Sequence, residues 1–132
     1  QLLFNDSSIK RTLDMFNKVN IAIVGIGSVS PKPSTLLYKE GFLKEEDIIK
    51  IVKNNAVGDI NTSFYDFNGE TCKLELENRT VGMKIEQLKR VRYVIGVAGG
   101  ELKVNAIYAA LRGKIINILI TDYNTAIKLV DK

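Results

Sequence analysis

Two glycine-rich turns contain the residues of this sequence that are best suited to bind a charged ligand. The first is Gly25-Ile26-Gly27-Ser28, which follows a run of β-branched residues typical of a buried strand. The second is Gly99-Gly100-Glu101-Leu102-Lys103, at the predicted start of a helix. Unpaired backbone N–H groups and the dipole of that helix favour an anion, and Lys103 adds a full positive charge. The second turn therefore predicts a phosphate site.

Each turn also has a simpler interpretation. A dinucleotide-binding loop needs a third glycine three places after the second, but Ser30 stands there and Pro31 follows, so no nicotinamide or flavin cofactor is predicted. Gly25 and Gly27 then either make a tight turn or let a ligand approach the backbone closely. The second turn could, in the same way, be a strand break followed by a lysine in solvent. The residue types leave these alternatives open.

Asp59 lies at the end of another predicted strand, in Gly58-Asp59. A carboxylate in that position can accept hydrogen bonds from sugar hydroxyls or act as a general base. The alternative is that Asp59 only begins a turn. Arg79 is a further candidate, because a guanidinium can pair either with a phosphate or with a carboxylate on the surface.

The absence of histidine limits the chemistry that this chain can perform. Ser-His-Asp and Cys-His nucleophilic sites are excluded and the commonest transition-metal ligand is missing, so no metal site and no catalytic residue are predicted. Any reaction would depend on carboxylates and lysines. The net charge of +4 is mild, and the basic residues are scattered among acids. Because no helix-turn-helix or zinc-finger pattern is present, the chain is not expected to bind DNA directly.

The elements that must position these residues alternate between strands and helices. The predicted strands are 19–24, 56–60, 62–67, 72–76, 93–98 and 115–120, and the predicted helices are 8–17, 44–54, 84–89, 101–111 and 122–132. This order indicates an α/β fold, Rossmann-like, with a mostly parallel sheet flanked by helices and a small antiparallel hairpin. Ser7 or Ser8 is predicted to cap the first helix, Asn68-Gly69 to form the hairpin turn, and Gly113 to end the fourth helix.

Length and composition fit one domain, residues 1–132. The longest apolar run, near 115–121, is too short to span a bilayer, and the first residues do not resemble a signal peptide. A single cysteine, Cys72, excludes an internal disulfide, fits a reducing cytoplasm and is expected to be a small core residue. Three strongly predicted parallel strands are few for a free-standing sheet. We therefore expect that part of the sheet is missing or that a partner covers it.

Six segments occur in one order along the chain and together resemble a known family. They are Ile23-Val24-Gly25-Ile26-Gly27, Ala56-Val57-Gly58-Asp59-Ile60, Arg79-Thr80-Val81-Gly82, Val97-Ala98-Gly99-Gly100-Glu101-Leu102-Lys103, Ala109-Ala110-Leu111-Arg112-Gly113 and Leu119-Ile120-Thr121-Asp122. This set is similar to the effector-binding domain of the SorC/DeoR-type sugar-binding transcriptional regulators. The resemblance runs through nearly the whole chain.

The resemblance implies a fold similar to that of ribose-phosphate and glucosamine-phosphate isomerases, with a phosphorylated sugar as the ligand. It implies that the full regulator is a homo-oligomer, a dimer or tetramer, and that it binds DNA through an N-terminal helix-turn-helix. Ligand binding would change the oligomer geometry and so the affinity for the operator. Gly99, Gly100 and Lys103 would then hold the phosphate, Gly25 and Gly27 would allow close approach, and Asp59 would meet sugar hydroxyls.

The chain departs from the family pattern in two places. An N-terminal strand with a Gly-Gly-Thr-Thr-like phosphate loop is absent, so the domain is expected to be incomplete at its N-terminus. Thr62-Ser63 stand where the family often has Gly-Arg, which would alter a sugar contact. Two other functions remain open. One is a sugar-phosphate isomerase with Asp59 as general base and Lys103 as phosphate anchor, and the other is a structural or dimerisation remnant that binds nothing.

Overall fold

The computed structural model describes residues 6–29, 37 and 41–132, and only the backbone of residues 77 and 78. Ser30, Pro31 and Pro33, next to the first glycine turn, lie outside the described residues. The helices are α1 (Ser7–Met15), α2 (Glu45–Lys53), α3 (Ile85–Leu88), α4 (Val104–Arg112) and α5 (Tyr123–Val130). The strands are β1 (Ile21–Gly25), β2 (Gly27–Ser28), β3 (Ala56–Ile60), β4 (Ser63–Asp66), β5 (Tyr93–Val97) and β6 (Ile118–Ile120). Within this described part, none of the helices has the length and apolar character needed to cross a membrane.

A parallel sheet of three strands, in the order β1-β5-β6, confirms the predicted parallel core. Ile21 pairs with Tyr93 at the start of β1, and Gly25 pairs with Val97 at its end. On the other side of β5, Val97 pairs with Ile120. The carboxyl ends of all three strands therefore meet at one edge of the sheet.

An antiparallel sheet, in the order β2-β3-β4, is present, but its hairpin joins β3 to β4 and is not the one predicted around Asn68-Gly69. Gly27 of β2 pairs with Asp59 of β3. The hairpin between β3 and β4 turns at Asn61 and Thr62, whose φ angles are 50° and 65°. Two consecutive positive φ angles are typical of the type I′ turn, which matches the twist of paired strands.

Residues 72–76 do not form the predicted returning strand. The Asn68-Gly69 turn is present, but beyond it the chain makes only a single bridge, between Thr71 and Tyr65. A 3₁₀-helix, Glu75–Arg79, follows. The intervening residues join a small apolar core made of Ile51, Ala56, Phe64, Cys72, Leu74 and Leu76. Cys72 donates one backbone hydrogen bond to the Phe64 carbonyl, and after it Leu74 and Leu76 are buried without a strand partner among the described residues. Cys72 is a core residue, as predicted.

Two helices begin differently from the prediction. Asp6, and not Ser7 or Ser8, caps α1, because its carboxylate accepts hydrogen bonds from the backbone N–H groups of Ser8 and Ile9 at 2.8 and 3.2 Å. The helix predicted from residue 101 starts as a 3₁₀ turn, Glu101–Lys103, and becomes α-helical only at Val104.

One face of the parallel sheet is covered by α4. Ala106, Ile107, Ala109 and Ala110 of this helix are fully buried in the main core. Small side chains let the helix lie close to its neighbours, and the buried Tyr65 hydroxyl donates a 3.0 Å hydrogen bond to the Ala106 carbonyl. The antiparallel sheet is thereby joined to the same helix.

The opposite face of the parallel sheet, which we call the outer face, is exposed. It carries the apolar side chains of Ile21, Ile23, Tyr93, Val97, Ile118 and Ile120, each between 39% and 72% exposed. This observation agrees with the expectation that the sheet is incomplete or covered by a partner.

Gly69, in the turn after β4, and Gly113, at the end of α4, allow these two segments to contact each other. A Cβ atom added to Gly113 would lie 2.5 Å from the Cα of Gly69, closer than any real contact of that kind. Gly113 ends α4 as predicted, but with φ −77°, and the left-handed conformation falls on Lys114 at φ +54°. The close approach of two backbones, not a positive φ, therefore requires glycine at position 113.

Candidate functional site

The two glycine turns emerge from the same edge of the parallel sheet. Gly25 is the last residue of β1 and pairs with Val97, after which the chain continues through Ala98 to Gly99 and Gly100. In open α/β sheets, ligands bind outside the carboxyl ends of the strands. A Cβ atom built on Gly25 would have no neighbour within 4 Å among the residues that the structure describes, so these residues leave open space beside it.

Asp59 reaches this edge through the antiparallel sheet. Its strand partner is Gly27, which follows β1 by only two residues. The next residue, Ser28, donates a 2.7 Å hydrogen bond from its hydroxyl to the carbonyl of Leu102, just before Lys103. The segments that carry Gly27, Asp59 and Lys103 are therefore in direct contact, as the site prediction requires.

The carboxyl group of Asp59 is buried, with only 9% of the residue exposed. Burial raises its pKa to about 6, because a charge is poorly solvated there. The positive charge of Lys103 and a hydrogen bond from the Thr62 backbone act in the opposite direction. Lys103 thus lies within electrostatic reach of Asp59, and the two form a candidate pair for a ligand with both hydroxyl and anionic groups.

Several buried oxygen atoms around these elements have no hydrogen-bond partner among the described residues. They are Asp59 Oδ1, Thr62 Oγ1, Ser63 Oγ and Thr121 Oγ1. Asp59 lies at the paired end of β3, and Thr121 follows the last residue of β6. An unsatisfied buried oxygen costs about 1–3 kcal/mol, so such atoms require an explanation, and a bound polar ligand is one.

The backbone of the second turn is partly occupied by the protein itself. The N–H group of Gly100 donates to Asp122 Oδ2 at 3.0 Å and to Thr125 Oγ1 at 2.8 Å. The N–H group of Lys103 donates to the Gly100 carbonyl within the 3₁₀ turn. The prediction that this turn presents unpaired amides is therefore wrong for Gly100, whose amide is held by the start of α5.

Glycine is required at both positions of the turn for different reasons. Gly100 has a φ of +104°, a conformation that other residues rarely adopt. A side chain at Gly99 would collide with the carboxylate of Asp122. The double glycine therefore fixes how the loop after β5 packs against the loop after β6.

Glu101 and Lys103 differ in their surroundings. Glu101 is exposed and forms an ion pair with Lys128. Lys103 is half-buried, and its positive charge acts on the carboxyl group of Asp59. Lys103 is therefore the cation of this turn that a ligand bound beside Asp59 would contact.

A hollow of about 410 Å³ lies on the other side of the turn. Its lining residues are Gly100, Glu101, Asp122, Asn124, Thr125, Ile127 and Lys128. Two carboxylates line it, and the ammonium of Lys128 is already paired with one of them. This hollow is a poor site for a phosphate.

Arg79 forms an ion pair instead of facing the candidate site. Its guanidinium donates to Asp47 Oδ2 at 2.6 Å. Hydrogen bonding with Arg79 is the main reason that the pKa of Asp47 is lowered, and the backbone N–H of Lys44 also donates to this carboxylate. Of the two interpretations of Arg79, pairing with a carboxylate is thus the correct one, although the carboxylate of Asp47 is buried rather than on the surface.

The sequence interpretation missed the roles of Ser28, Asp122 and Thr125 at the site. Asp122 caps α5, because its carboxylate accepts a hydrogen bond from the Thr125 backbone N–H at 2.9 Å. Its second role, holding Gly100, depends on two loops that are far apart in the sequence. The only available signal was the segment Leu119-Ile120-Thr121-Asp122 at the end of a predicted strand. Within the described ranges, no cluster of acidic or cysteine side chains is arranged to hold a metal ion.

Comparison with protein families identifies one match. A model of the Sugar-bind family, described as "Putative sugar-binding domain", matches residues 1–131. The deoxyribonucleoside regulator of Bacillus subtilis is 37% identical over 99% of this chain and 41% of its own length. The transcriptional regulator LsrR of an Enterobacter species is 34% identical over 95% of this chain and 39% of its own length.

Solved structures give the same result. A transcriptional regulator from Streptococcus pneumoniae aligns with a TM-score of 0.85 and 31% identity, over 98% of this chain and 48% of the other. The full-length sorbitol operon regulator SorC from Klebsiella pneumoniae also aligns with a TM-score of 0.85, at 30% identity, over 96% of this chain and 41% of its own. The chain spans about two fifths of the length of the curated relatives that it matches.

Proposed function

The chain belongs to this family of sugar-binding domains, and from that premise we propose that it senses a phosphorylated sugar within a bacterial transcriptional regulator of sugar metabolism. The observation that carries the proposal is the buried carboxylate of Asp59, which has an oxygen without a hydrogen-bond partner among the described residues and lies within electrostatic reach of Lys103. Such a pair can accept hydrogen bonds from hydroxyl groups and bind an anion at the same place.

Each predicted site residue has a role in this proposal. Lys103 pairs with the phosphate, and Asp59 accepts hydrogen bonds from sugar hydroxyls. Gly25 and Gly27 let the ligand approach the backbone, which agrees with the open space beside Gly25. Gly99 and Gly100 shape the loop that presents Lys103, while the Gly100 amide itself is held by Asp122.

The regulatory context is part of the proposal. The curated relatives are transcriptional regulators more than twice as long as the matched region. We propose that a separate helix-turn-helix domain of the same protein binds DNA in the cytoplasm, and that the protein is a homo-oligomer, a dimer or tetramer. A sugar phosphate that binds one oligomer geometry more tightly would then change operator affinity by the same coupling free energy.

Thermal unfolding with a panel of sugar phosphates tests ligand binding directly. The panel includes ribose 5-phosphate and deoxyribose 5-phosphate, each beside its unphosphorylated sugar and inorganic phosphate. A ligand that binds the folded state at 100 times its Kd stabilises it by about 2.7 kcal/mol, which is easily measured. Stabilisation by a phosphorylated sugar and not by its parts supports the proposal. No stabilisation by any member indicates instead the structural remnant that binds nothing.

The isomerase alternative has no support among the relatives, which are regulators. It is tested by incubating the protein with ribose 5-phosphate and measuring ketose formation. Turnover that is lost in Asp59→Asn would contradict a purely sensory role.

A further inference from the structure

We propose that Asp59 takes up a proton when the phosphate of a sugar ligand pairs with Lys103, so that its carboxyl group is neutral in the bound domain. This inference deepens the proposed function and rests on it, because it concerns the same two residues. Its consequence is a form of regulation, since the affinity for a sugar phosphate then increases as the pH falls.

The surroundings of Asp59 give its negative charge little support. Only 9% of the residue is exposed, and Oδ1 has no hydrogen-bond partner among the described residues. The backbone N–H of Thr62 donates one hydrogen bond to the carboxylate. Of the two described groups that favour the ionised form, Lys103 has the larger effect and this N–H the smaller. The ionised state of Asp59 in the free domain therefore depends chiefly on the charge of Lys103.

The elements packed against β3 provide no second cation for Asp59 among the described residues. β2 has no titratable side chain, and β4 places Tyr65 within electrostatic reach of Asp59. The Tyr65 hydroxyl donates to the Ala106 carbonyl, and burial, followed by the charge of Asp59, raises its pKa, so this phenol is neutral. The other titratable side chains on these elements, and on the turn that carries Lys103, are Glu45, Glu46, Asp47, Lys50, Lys53, Asp66, Glu101, Tyr108 and Arg112. None of these contributes to the pKa of Asp59.

A bound phosphate changes this balance towards protonation of Asp59. A phosphate monoester brings a charge of about −1.5 to −2 to Lys103 at pH 7. The site then contains one cation and two anions, and the repulsion between anions that share a buried site favours protonation of one of them. The phosphate pairs directly with the cation, whereas the carboxyl group already has a pKa of about 6 before the ligand binds. The proton therefore goes to Asp59.

A neutral carboxyl group also provides both kinds of hydrogen bond that the ligand needs. Its carbonyl oxygen still accepts from a sugar hydroxyl, and its O–H becomes a donor to a phosphate oxygen. Oδ1 of Asp59, which has no partner in the described structure, gains one in either role. The proton comes from solvent and binds to the carboxylate, and no other covalent bond forms or breaks.

Titration calorimetry of the intact regulator tests the proton uptake. Ribose 5-phosphate and deoxyribose 5-phosphate are titrated at pH 7 in Mops and in imidazole, two buffers whose ionisation enthalpies differ strongly. Because the buffer supplies each proton that the site takes up, the difference between the two binding heats gives the number of protons. We expect roughly half a proton per bound sugar phosphate, since a carboxyl group with a pKa of about 6 is mostly ionised at pH 7 before binding.

Two variants locate the proton. Asp59→Asn, titrated to saturation, should remove the uptake, and Glu70→Gln should keep it, because Glu70 is an exposed carboxylate beyond the Asn68-Gly69 turn. Equal heats in the two buffers for the wild type would overturn the inference and leave the proposed function intact. Uptake that persists in Asp59→Asn would overturn it as well. The absence of binding heat for every sugar phosphate of the unfolding panel would contradict the proposed function itself.

A pH series with a sulfate ester gives an answer that needs no variant. The charge of ribose 5-sulfate is constant between pH 6 and pH 8, whereas a phosphate monoester titrates near pH 6. Since the bound state of Asp59 holds the proton more tightly, affinity is gained as the pH falls towards about 6 and levels off below it. We expect the Kd of ribose 5-sulfate to fall at least about threefold from pH 8 to pH 6. A Kd that stays constant or rises over this range contradicts proton uptake.

Discussion

The carboxylate of Asp122 accepts a 3.0 Å hydrogen bond from the backbone N–H of Gly100, so the loops after β5 and β6 are joined at the edge of the sheet where a ligand would bind. The same carboxylate caps α5 through Thr125. One side chain thus fixes both the start of a helix and the shape of the double-glycine turn.

Replacing Asp122 by alanine should therefore lower stability and loosen the turn together. We expect a lower midpoint of urea unfolding and faster hydrogen exchange at Gly100. Asn124→Ala is the matched control, because Asn124 lines the same hollow and is exposed. If both variants unfold at the same urea concentration, the Asp122 contacts do not stabilise the protein.

Gly113→Ala should destabilise the fold by about 1–3 kcal/mol, the usual cost of forcing an extra methyl group into a packed region. Its Cβ would collide with the backbone of Gly69, which cannot move aside as a flexible side chain could. Gly82→Ala is the control, since a Cβ there would meet nothing within 4 Å. Urea unfolding measures both, and a Gly113→Ala variant as stable as Gly82→Ala would contradict the close approach.

Thr62→Gly should stabilise the protein by about 1 kcal/mol, because a β-branched residue at positive φ is strained. The change also removes a buried hydroxyl that has no partner in the described structure. Asn61→Gly should have a smaller effect, since asparagine tolerates the left-handed region. Thermal unfolding of the two variants gives the comparison, and a destabilised Thr62→Gly would mean that the threonine makes contacts that outweigh the strain.

Asp59 should make stability fall as the pH rises. Its folded pKa, about 6, is above the ordinary value of 3.8, so the folded state binds the proton more tightly. Stability is therefore greatest below the unfolded pKa and is lost as the pH rises from about 4 through 6, by about 3 kcal/mol for a shift of this size. Carboxyl groups with lowered pKa, such as Asp47, act in the opposite sense.

The contribution of Asp59 is isolated by comparing the wild type with Asp59→Asn at each pH. The stability of the variant relative to the wild type should increase between pH 4 and pH 7, since only the wild type loses the proton. A difference that is independent of pH would show that Asp59 does not titrate in this range.

Lys103→Ala should weaken the binding of a phosphorylated sugar more than that of the same sugar without phosphate. A hydrogen bond to a charged group contributes about 1.5–3 kcal/mol. We therefore expect the Kd of the phosphorylated sugar to rise by roughly tenfold to hundredfold, while the Kd of the unphosphorylated sugar does not change. Lys128→Ala is the control, because Lys128 lines the hollow on the other side of the turn. Titration calorimetry measures both, and equal losses for the two sugars would contradict the phosphate role of Lys103.

The parallel core could be predicted because its strands are apolar runs, two of which end at or just before a glycine. Glycines at or just after the ends of β1 and β5 mark where these strands stop, and the alternation of buried residues shows which face of each strand points to the core. The path of residues 72–76 could not be predicted, because alternating apolar residues fit a strand and an irregular buried segment equally well. Only the three-dimensional neighbours of Leu74 and Leu76 distinguish the two.

The sequence proposes residues for the candidate site, but it does not predict the hydrogen bonds between the loops that carry them. Asp59 and Lys103 were identified from their positions after strands, and the structure brings their segments together. The partner of the Gly100 amide was not identified, since it lies 22 residues away on another loop. Contacts between distant loops depend on packing, which a local pattern does not contain.

A single buried residue, Ile26, separates the last residue of β1 from the first residue of β2. The polypeptide therefore passes from one sheet to the other without a flexible linker. Asp59 pairs with Gly27, the first residue of β2, so the strand that holds Asp59 is two residues along the chain from the end of β1. A molecule that moved Asp59 on binding would therefore be expected to move β1 as well, and β1 carries Ile21 and Ile23 of the outer face.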